Sequence, residues 1–269
     1  RPCQCSDRSE SRRAARSFLR RSAHLPAAAV DRLQEAVEGA GASWLDAVVA
    51  VTAAYIHRLT QAGDVILGMP MMGRLGSASL RIPGMVMNVL PLRLSVRPEM
   101  KLTDLAVQVS REIAAMRRHQ RYRHEELRRD LRRVGESGRL FGPLINVMPY
   151  EQRFDFAGHP ALKHNLSAGP VEDLSLHMYP RPDGPGWRID LDGNPAVYSA
   201  GDLEEHRNRF LRFLEKAADE GLRKPVKEWD LLDEEERRKI LIDWNDTSRA
   251  QPKNTLPERF ERQAARCPD

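Results

Sequence analysis

The stretch that most constrains this chain is SWLDAVVAVTAAYI, residues 43–56. Ser43 has the character of a helix N-cap, and Asp46 three residues on completes a capping box. Trp44, Val48, Val51, Ala54 and Tyr55 then recur at helical spacing, with Gly63 as the expected stop. A helix this apolar has to be largely buried, so other elements must surround it. The apolar run from Ala47 to Ile56 is broken by Thr52 and is about half the length a bilayer requires, which points to a protein core and not to a membrane.

The rest of the sequence supplies the surrounding elements. HLPAAAVDRLQEAVEGAG (24–41) predicts a helix with Pro26 in its first turn and Leu33 and Val37 on one face. DVILGMP (64–70) reads as a strand, residues 71–83 as a loop, and MVMNVLPLRLSV (85–96) as a second strand. Val86, Asn88, Leu90, Leu92, Leu94 and Val96 share one side of that strand. Pro91 within it requires a bulge or an edge position. Asn88 is the polar member of an otherwise apolar face and must find hydrogen-bond partners or line a cavity. Helices are expected from Thr103 to about Arg118 and from Glu125 to Val134. Strands are expected over 142–150, 171–182 and 186–193, the last two joined as a hairpin through PDGPG. Ser199 and Asp202 then cap a long helix with Leu203, Phe210, Phe213, Leu214 and Ala217 inward. The order is α, α, β, β, α, α, β, a β-hairpin and a closing α, an α/β layered domain with a mixed sheet flanked by helices.

Composition narrows the function classes. Lys and Arg number 43 against 38 Asp and Glu, a net charge of +5. RPCQCSDRSESRRAARSFLRR has charge but no apolar core of the kind a secretory signal needs, and its first sixteen residues read as a disordered tail. Cys3, Cys5 and Cys267 sit at the extreme ends, so neither a disulfide framework nor a zinc site is expected, and a cytoplasmic location follows as the default. The positive excess is local: ten arginines against five acids lie between Arg111 and Arg139. Either this is a solvated helix face with snorkelling arginines, or it is a docking surface for an acidic partner. Without aromatic interleaving or a recognised motif, nucleic acid is not the expected partner.

No catalytic constellation is visible. The chain has no GxSxG elbow, no phosphate-binding loop and no GxGxxG. His119 and His124 stand five apart among arginines that repel a cation, so no metal site is expected. His177, between Leu176 and Met178 on a strand, reads as a structural histidine. From Gly221 the sequence turns charged and reads as a linker to residue 253. NTLPERFERQAARCPD (254–269) then opens a new helix, with Thr255 as N-cap, Pro257 just inside and Glu258 completing the box. Its apolar face, Leu256, Phe260 and Ala264, has nothing of its own to pack against.

Motif order supplies what spacing does not. IPGMVMNVLPLRL (82–94) resembles the I-G-x-F-V-N-T-x-x-x-R motif of nonribosomal peptide synthetase condensation domains, with Asn88 at its asparagine and Arg93 at its arginine. HQRYRHEELRRDL (119–131) is similar to the family's H-Q-x-x-P-F-E segment, with Tyr122-Arg123-His124 in place of proline and aromatic. GRLFGPLINVMPY (138–150) resembles N-P-L-F-x-x-x-x-x-Y. LLDEEERRKILIDWNDT (231–247) is similar to the signature joining condensation to adenylation domains, and residues 254–269 resemble the first helix of an adenylation domain. SFLRRSAHLP, GMPMMGRLGSA and VEDLSLHMYPRPDG look most like siderophore synthetases of the enterobactin type.

The resemblance covers about residues 17–269 and leaves 1–16 as a non-family tail. It implies one lobe of a two-lobed, chloramphenicol-acetyltransferase-like fold: the C-terminal lobe over 17–220, a linker over 221–253 and the start of an adenylation domain over 254–269. The reaction implied is amide formation, in which a carrier-bound amine attacks a carrier-bound thioester. The family's catalytic HHxxxDG belongs to the first lobe, and the 269 residues contain no His-His pair, so no catalytic residue is expected here. Asn88 is the candidate for a tunnel-lining group, or else a staple of a bulge beside Pro91. Arg93 either pairs with a carboxylate or points to solvent. Arg117, Arg118 and Arg121 are the candidates for docking an acidic carrier protein. No cofactor is expected to bind directly, phosphopantetheine being carried by that partner. The N-terminal lobe and an adenylation domain are the other implied partners. A stand-alone carrier-binding module, or half of a split condensation enzyme, is the alternative.

Overall fold

The computed structural model describes residues 17–74, 81–132, 139–150, 154–161, 165–167, 169–181, 184–248 and 255–267. The tail at 1–16, residues 133–134 of the second basic helix, turn residues 182–183 and linker residues 249–253 lie outside them. The chain divides after Leu231 into two compact units.

In the first unit, strands β1 (Leu19–Leu25), β2 (Asp64–Met71), β3 (Asn88–Ser95), β4 (Leu144–Val147), β7 (Leu174–Pro180) and β8 (Trp187–Gly193) form one six-stranded sheet in the order β1-β8-β7-β4-β2-β3. The short β4 runs parallel to β2 and β7, and the other pairings are antiparallel, which makes the sheet mixed. Strands β5 (Phe154–Phe156) and β6 (His159–Ala161) pair as a separate antiparallel ribbon.

Helices α1 (Ala27–Val37), α2 (Trp44–Thr60), α3 (Leu102–Arg118) and α5 (Ala200–Glu220) pack against one sheet face. The capping boxes expected at Ser43/Asp46 and Ser199/Asp202 are both formed. Every residue of α2 from Asp46 to His57 is buried, because α1, α3 and α5 flank it and the sheet lies beneath it. Alternate strand residues (Val65 and Leu67, Leu92 and Leu94, Leu176 and Met178, Ile189 and Leu191) meet this helical layer to form the core. The helix α4 (His124–Asp130) buries none of its residues.

Several boundaries differ from the sequence reading. β1 is not among the expected elements: His24 and Leu25 belong to it, and α1 starts after Pro26. Its polar alternants Arg20 and Ser22 are consumed by acids on β8, so it lacks the usual polar-out pattern. The expected strand 85–96 is a strand over 88–95, because β2 ends at Met71, whose register partner is Asn88. Val86 is accordingly exposed. Pro91 sits in an unbroken register on the edge strand, so the edge reading holds and the bulge does not. α2 closes at Gln61 in a left-handed conformation, ahead of Gly63.

Residues 221–231, assigned by composition to a linker, are integral to the first unit. Leu222, Val226 and Trp229 are fully buried, and backbone hydrogen bonds from Thr103 to Leu222 and from Val226 to Met100 tie the segment down.

The second unit holds α6 (Glu234–Leu241), a 3-10 turn (Asp243–Asn245) and α7 (Leu256–Arg266). Asp233/Glu236 and Thr255/Glu258 form capping boxes at the two helix starts. Leu241, Ile242, Trp244, Leu256 and Phe260 are exposed.

The β7–β8 hairpin returns to β1 through Gly186, which has φ +98° and lies so close to β1 that a Cβ would stand 2.8 Å from the Leu25 carbonyl oxygen. Both the left-handed backbone and the backbone clash exclude a side chain there. Gly186→Ala is expected to cost about 1–3 kcal/mol, read as a lowered urea midpoint at unchanged m-value.

Candidate functional site

Sequence reasoning singled out Asn88, Arg93 and three arginines, and the structure gathers them only in part. Asn88 opens β3, half-buried, and its side-chain amide uses its full hydrogen-bonding capacity. Nδ2 donates to the carbonyls of Gln120 (3.1 Å) and Tyr122 (2.7 Å), while Oδ1 accepts from the backbone N–H groups of His124 (3.1 Å) and Val89 (3.0 Å). It therefore staples the connection between α3 and α4 to the end of the edge strand, and not a bulge beside Pro91.

Arg93 takes the first of its two readings. Its guanidinium grips Asp64 across the β2–β3 ladder, with Nε and an Nη at 2.9 and 2.8 Å from the carboxylate. The pair is solvent-exposed and stands apart from the Asn88 knot. The guanidinium donors hold the Asp64 carboxyl below the usual carboxylate range.

Arg117 and Arg118 form the last turn of α3, and Arg121 follows in the connection. All three are exposed, and none has an ion pair among the described residues. The chain that runs into Asn88 is apolar and exposed: Met85 is 82% exposed and Ile82 61%. This segment is internally braced, since Arg74 donates to the carbonyls of Ile82 and Gly84. Gly73, at φ +65°, leaves room for the Val86 carbonyl, which would stand 2.3 Å from a Cβ. The result is a basic turn next to an apolar segment, joined by the side chain of Asn88.

A second cluster escaped sequence reasoning. On the sheet face opposite the helices, register rows align Arg20–Asp192–Ser175, Ser22–Asp190–His177 and His24–Arg188–Tyr179 across β1, β8 and β7. Asp190 and Asp192 are wholly buried. Arg20 forks onto Asp192 at 2.6 and 2.7 Å and also donates to the Asn165 carbonyl. Ser22 Oγ (2.6 Å), Arg188 Nε (2.8 Å) and the Tyr179 hydroxyl all donate to Asp190. Burial pushes the Asp190 carboxyl up, but these donors outweigh it and hold it below its ordinary value. Alternating acids in WRIDLDG were the available signal. It was unreadable without β1, which supplies Arg20 and Ser22.

His177 lies under this network, 3% exposed, with Nε2 3.8 Å from Asp192 Oδ2 and no hydrogen-bond partner. Burial depresses its pKa, and the opposing pull of Asp192 does not restore it. Burial likewise lowers His124, whose ring packs 5.6 Å from Phe141, and His206, which meets the Tyr55 hydroxyl at 3.0 Å. Among the described residues no group of three or more His, Cys, Asp or Glu is placed to hold a metal, and no helix is long and apolar enough to cross a membrane. Cys267 is a free, exposed thiol.

The three depressed histidines fix the sign of an acid effect. Below about pH 6.5 the unfolded chain takes up protons that the folded chain refuses, so stability is lost as pH falls through that value. The urea midpoint is expected to drop between pH 7 and pH 5. Asp173 and Glu215, whose pKa values burial raises, act in the opposite sense as pH falls through their raised values. In His177→Gln the drop should be smaller than in the parent chain. An equal drop would remove His177 from the effect.

The Condensation domain family matches residues 6–241, a span that takes in part of the first sixteen residues. A dimodular nonribosomal peptide synthase of Bacillus subtilis is 49% identical over 257 residues, 96% of this chain and 11% of that protein. Enterobactin synthase component F of Escherichia coli O157:H7 is 33% identical over 237 residues, 88% of this chain and 18% of the relative. Among solved structures, the first condensation domain of the CDA synthetase superposes with a TM-score of 0.76 at 38% identity, over 87% of this chain and 50% of the other. The starter condensation domain of rhizomide synthetase, in complex with C8-CoA and Leu-SNAC, gives 0.75 at 40% identity, over 86% and 51%. The chain thus spans less than a fifth of these curated relatives and about half of the solved domains.

Proposed function

Because the chain belongs to the condensation-domain family, we propose that it acts as the C-terminal lobe of a condensation domain that joins a carrier-bound thioester donor to a carrier-bound amine in siderophore-type peptide synthesis. In that reaction the amine nitrogen attacks the thioester carbonyl, the new C–N bond forms as the C–S bond breaks, and the phosphopantetheine thiol leaves with a proton. Phosphopantetheine belongs to the carrier proteins. The proton is taken by the histidine motif of the other lobe, because the 269 residues hold no His-His pair. The observation that carries this reading is the superposition of a lobe lacking that motif on about half of solved condensation domains. The siderophore assignment rests on similarity to enterobactin synthase component F and, at 34% identity, to vanchrobactin synthetase.

Within that reading the lobe contributes surface and shape. The exposed Arg117, Arg118 and Arg121, unpaired among the described residues, dock the acidic carrier, whose approach a concentrated positive field accelerates. The exposed segment from Ile82 to Met87 meets the lobe that carries the histidines. The helices after residue 231 lead into an adenylation domain.

Two measurements test this. The 269-residue chain, given a thioester-loaded donor and an aminoacylated holo-carrier, should form no amide; adding a lobe bearing HHxxxDG should start turnover. Amide formed by the chain alone would refute the division of labour. Arg117→Glu, Arg118→Glu and Arg121→Glu together should weaken holo-carrier binding about tenfold at low salt, with the difference closing as salt rises. Equal affinity for parent and variant would leave those arginines as solvated surface.

A further inference from the structure

We propose that Asn88 is the positioning residue for the basic edge, setting where Arg117, Arg118 and Arg121 stand relative to the sheet. This rests on the carrier-docking reading given above and adds what makes the docking surface a fixed one.

Core packing holds α3 at one end only. Its buried residues are Leu102, Leu105, Ala106 and Val109, all in the first half of the helix. Past residue 109, Ile113 and Met116 are only partly buried, so the turn that bears Arg117 and Arg118 has no fully buried anchor. The connection beyond it contains Arg121, and α4, which follows, buries no residue at all. Gln120 is the one buried residue of the connection and is polar, and His124 meets Phe141 from a half-buried position, so apolar packing alone locates the basic edge weakly.

Asn88 supplies the location. Its side chain reaches three alternate positions of the connection, binding the Gln120 and Tyr122 carbonyls and the His124 amide, and its fourth bond returns to the strand at Val89. One side chain thereby ties residues 120–124 to the first residue pair of the β2–β3 ladder. An aspartate could not replace it, since two of the four bonds require N–H donors. Arg117, Arg118, Arg121 and Arg123 repel one another, and the connection carrying them tends to spread unless it is tied. The tie converts a set of mobile like charges into a patch of defined spacing, which is what a complementary acidic surface can recognise.

The test uses the 269-residue chain, a purified holo-carrier domain as the docking probe, and poly-L-glutamate as a probe of charge alone. Asn88→Ala should remain folded, lose hydrogen-exchange protection at the His124 amide, and bind the holo-carrier about three- to tenfold more weakly with a shallower salt dependence. Its affinity for poly-L-glutamate should stay within about twofold, because the charges are still present. If the alanine variant does not fold, Asn88→Ser, which keeps one donor and one acceptor, provides the same readings at smaller amplitude. Lost protection at His124 with unchanged holo-carrier affinity would overturn the positioning role while leaving the docking reading intact. Unchanged affinity in the triple Arg→Glu variant would overturn the docking reading, and the role of Asn88 with it.

Discussion

Everything in the first unit is arranged around a helix that has no side to show to water. From Asp46 to His57, α2 is buried on every face, so α1, α3 and α5 flank it on one side of the sheet while the sheet closes it from beneath. This demand fixes the strand alternation: Val65, Leu67, Leu92, Leu94, Leu176 and Leu191 all turn toward the helical layer. It also explains why the segment after α5 is retained, because Trp229 and Val226 fill the end of that layer, with the Trp229 ring 5.9 Å from Phe213. Burial of large apolar side chains at about 25 cal/mol per Å2 is the dominant favourable contribution here.

The opposite sheet face obeys a different rule. Buried charges cost more than they return unless each is fully partnered, and Asp190 and Asp192 meet that condition through Arg20, Ser22, Arg188 and Tyr179. Removing one partner strands a carboxylate in a low-dielectric setting, so the network is intolerant of single changes. His177 fits because it stays neutral. With two carboxylates balanced by two guanidinium groups, a further positive charge on its ring would have no counterion.

Much of the fold was legible from capping chemistry and periodicity. Ser43/Asp46, Ser199/Asp202 and Thr255/Glu258 each form the box that their spacing implied, since a capping box is a local interaction needing no distant partner. β1 was not legible, because its meaning depends on acids about 170 residues away that turn Arg20 and Ser22 into interior groups. Trp229 was hidden for a related reason: it sits in a charged sequence, and only its neighbours reveal it as core. Of the candidate site, Arg117, Arg118 and Arg121 are exposed, as a docking surface and a solvated face alike require, and Arg93 holds Asp64. Asn88 was rightly marked as a polar group requiring partners, but those partners are backbone atoms of another segment, which no periodicity could identify.

The pairing of β1 with β8 has a kinetic consequence. Arg20 and Asp192 are separated by 172 residues, yet their strands are adjacent. Such a contact raises contact order and requires closing a very long loop before it returns any stabilisation. Of the six strands in this sheet β1 is made before the others, and its partner β8 is made after all of them. That edge of the sheet therefore closes last, and until β8 follows, the backbone of β1 is open to mispairing.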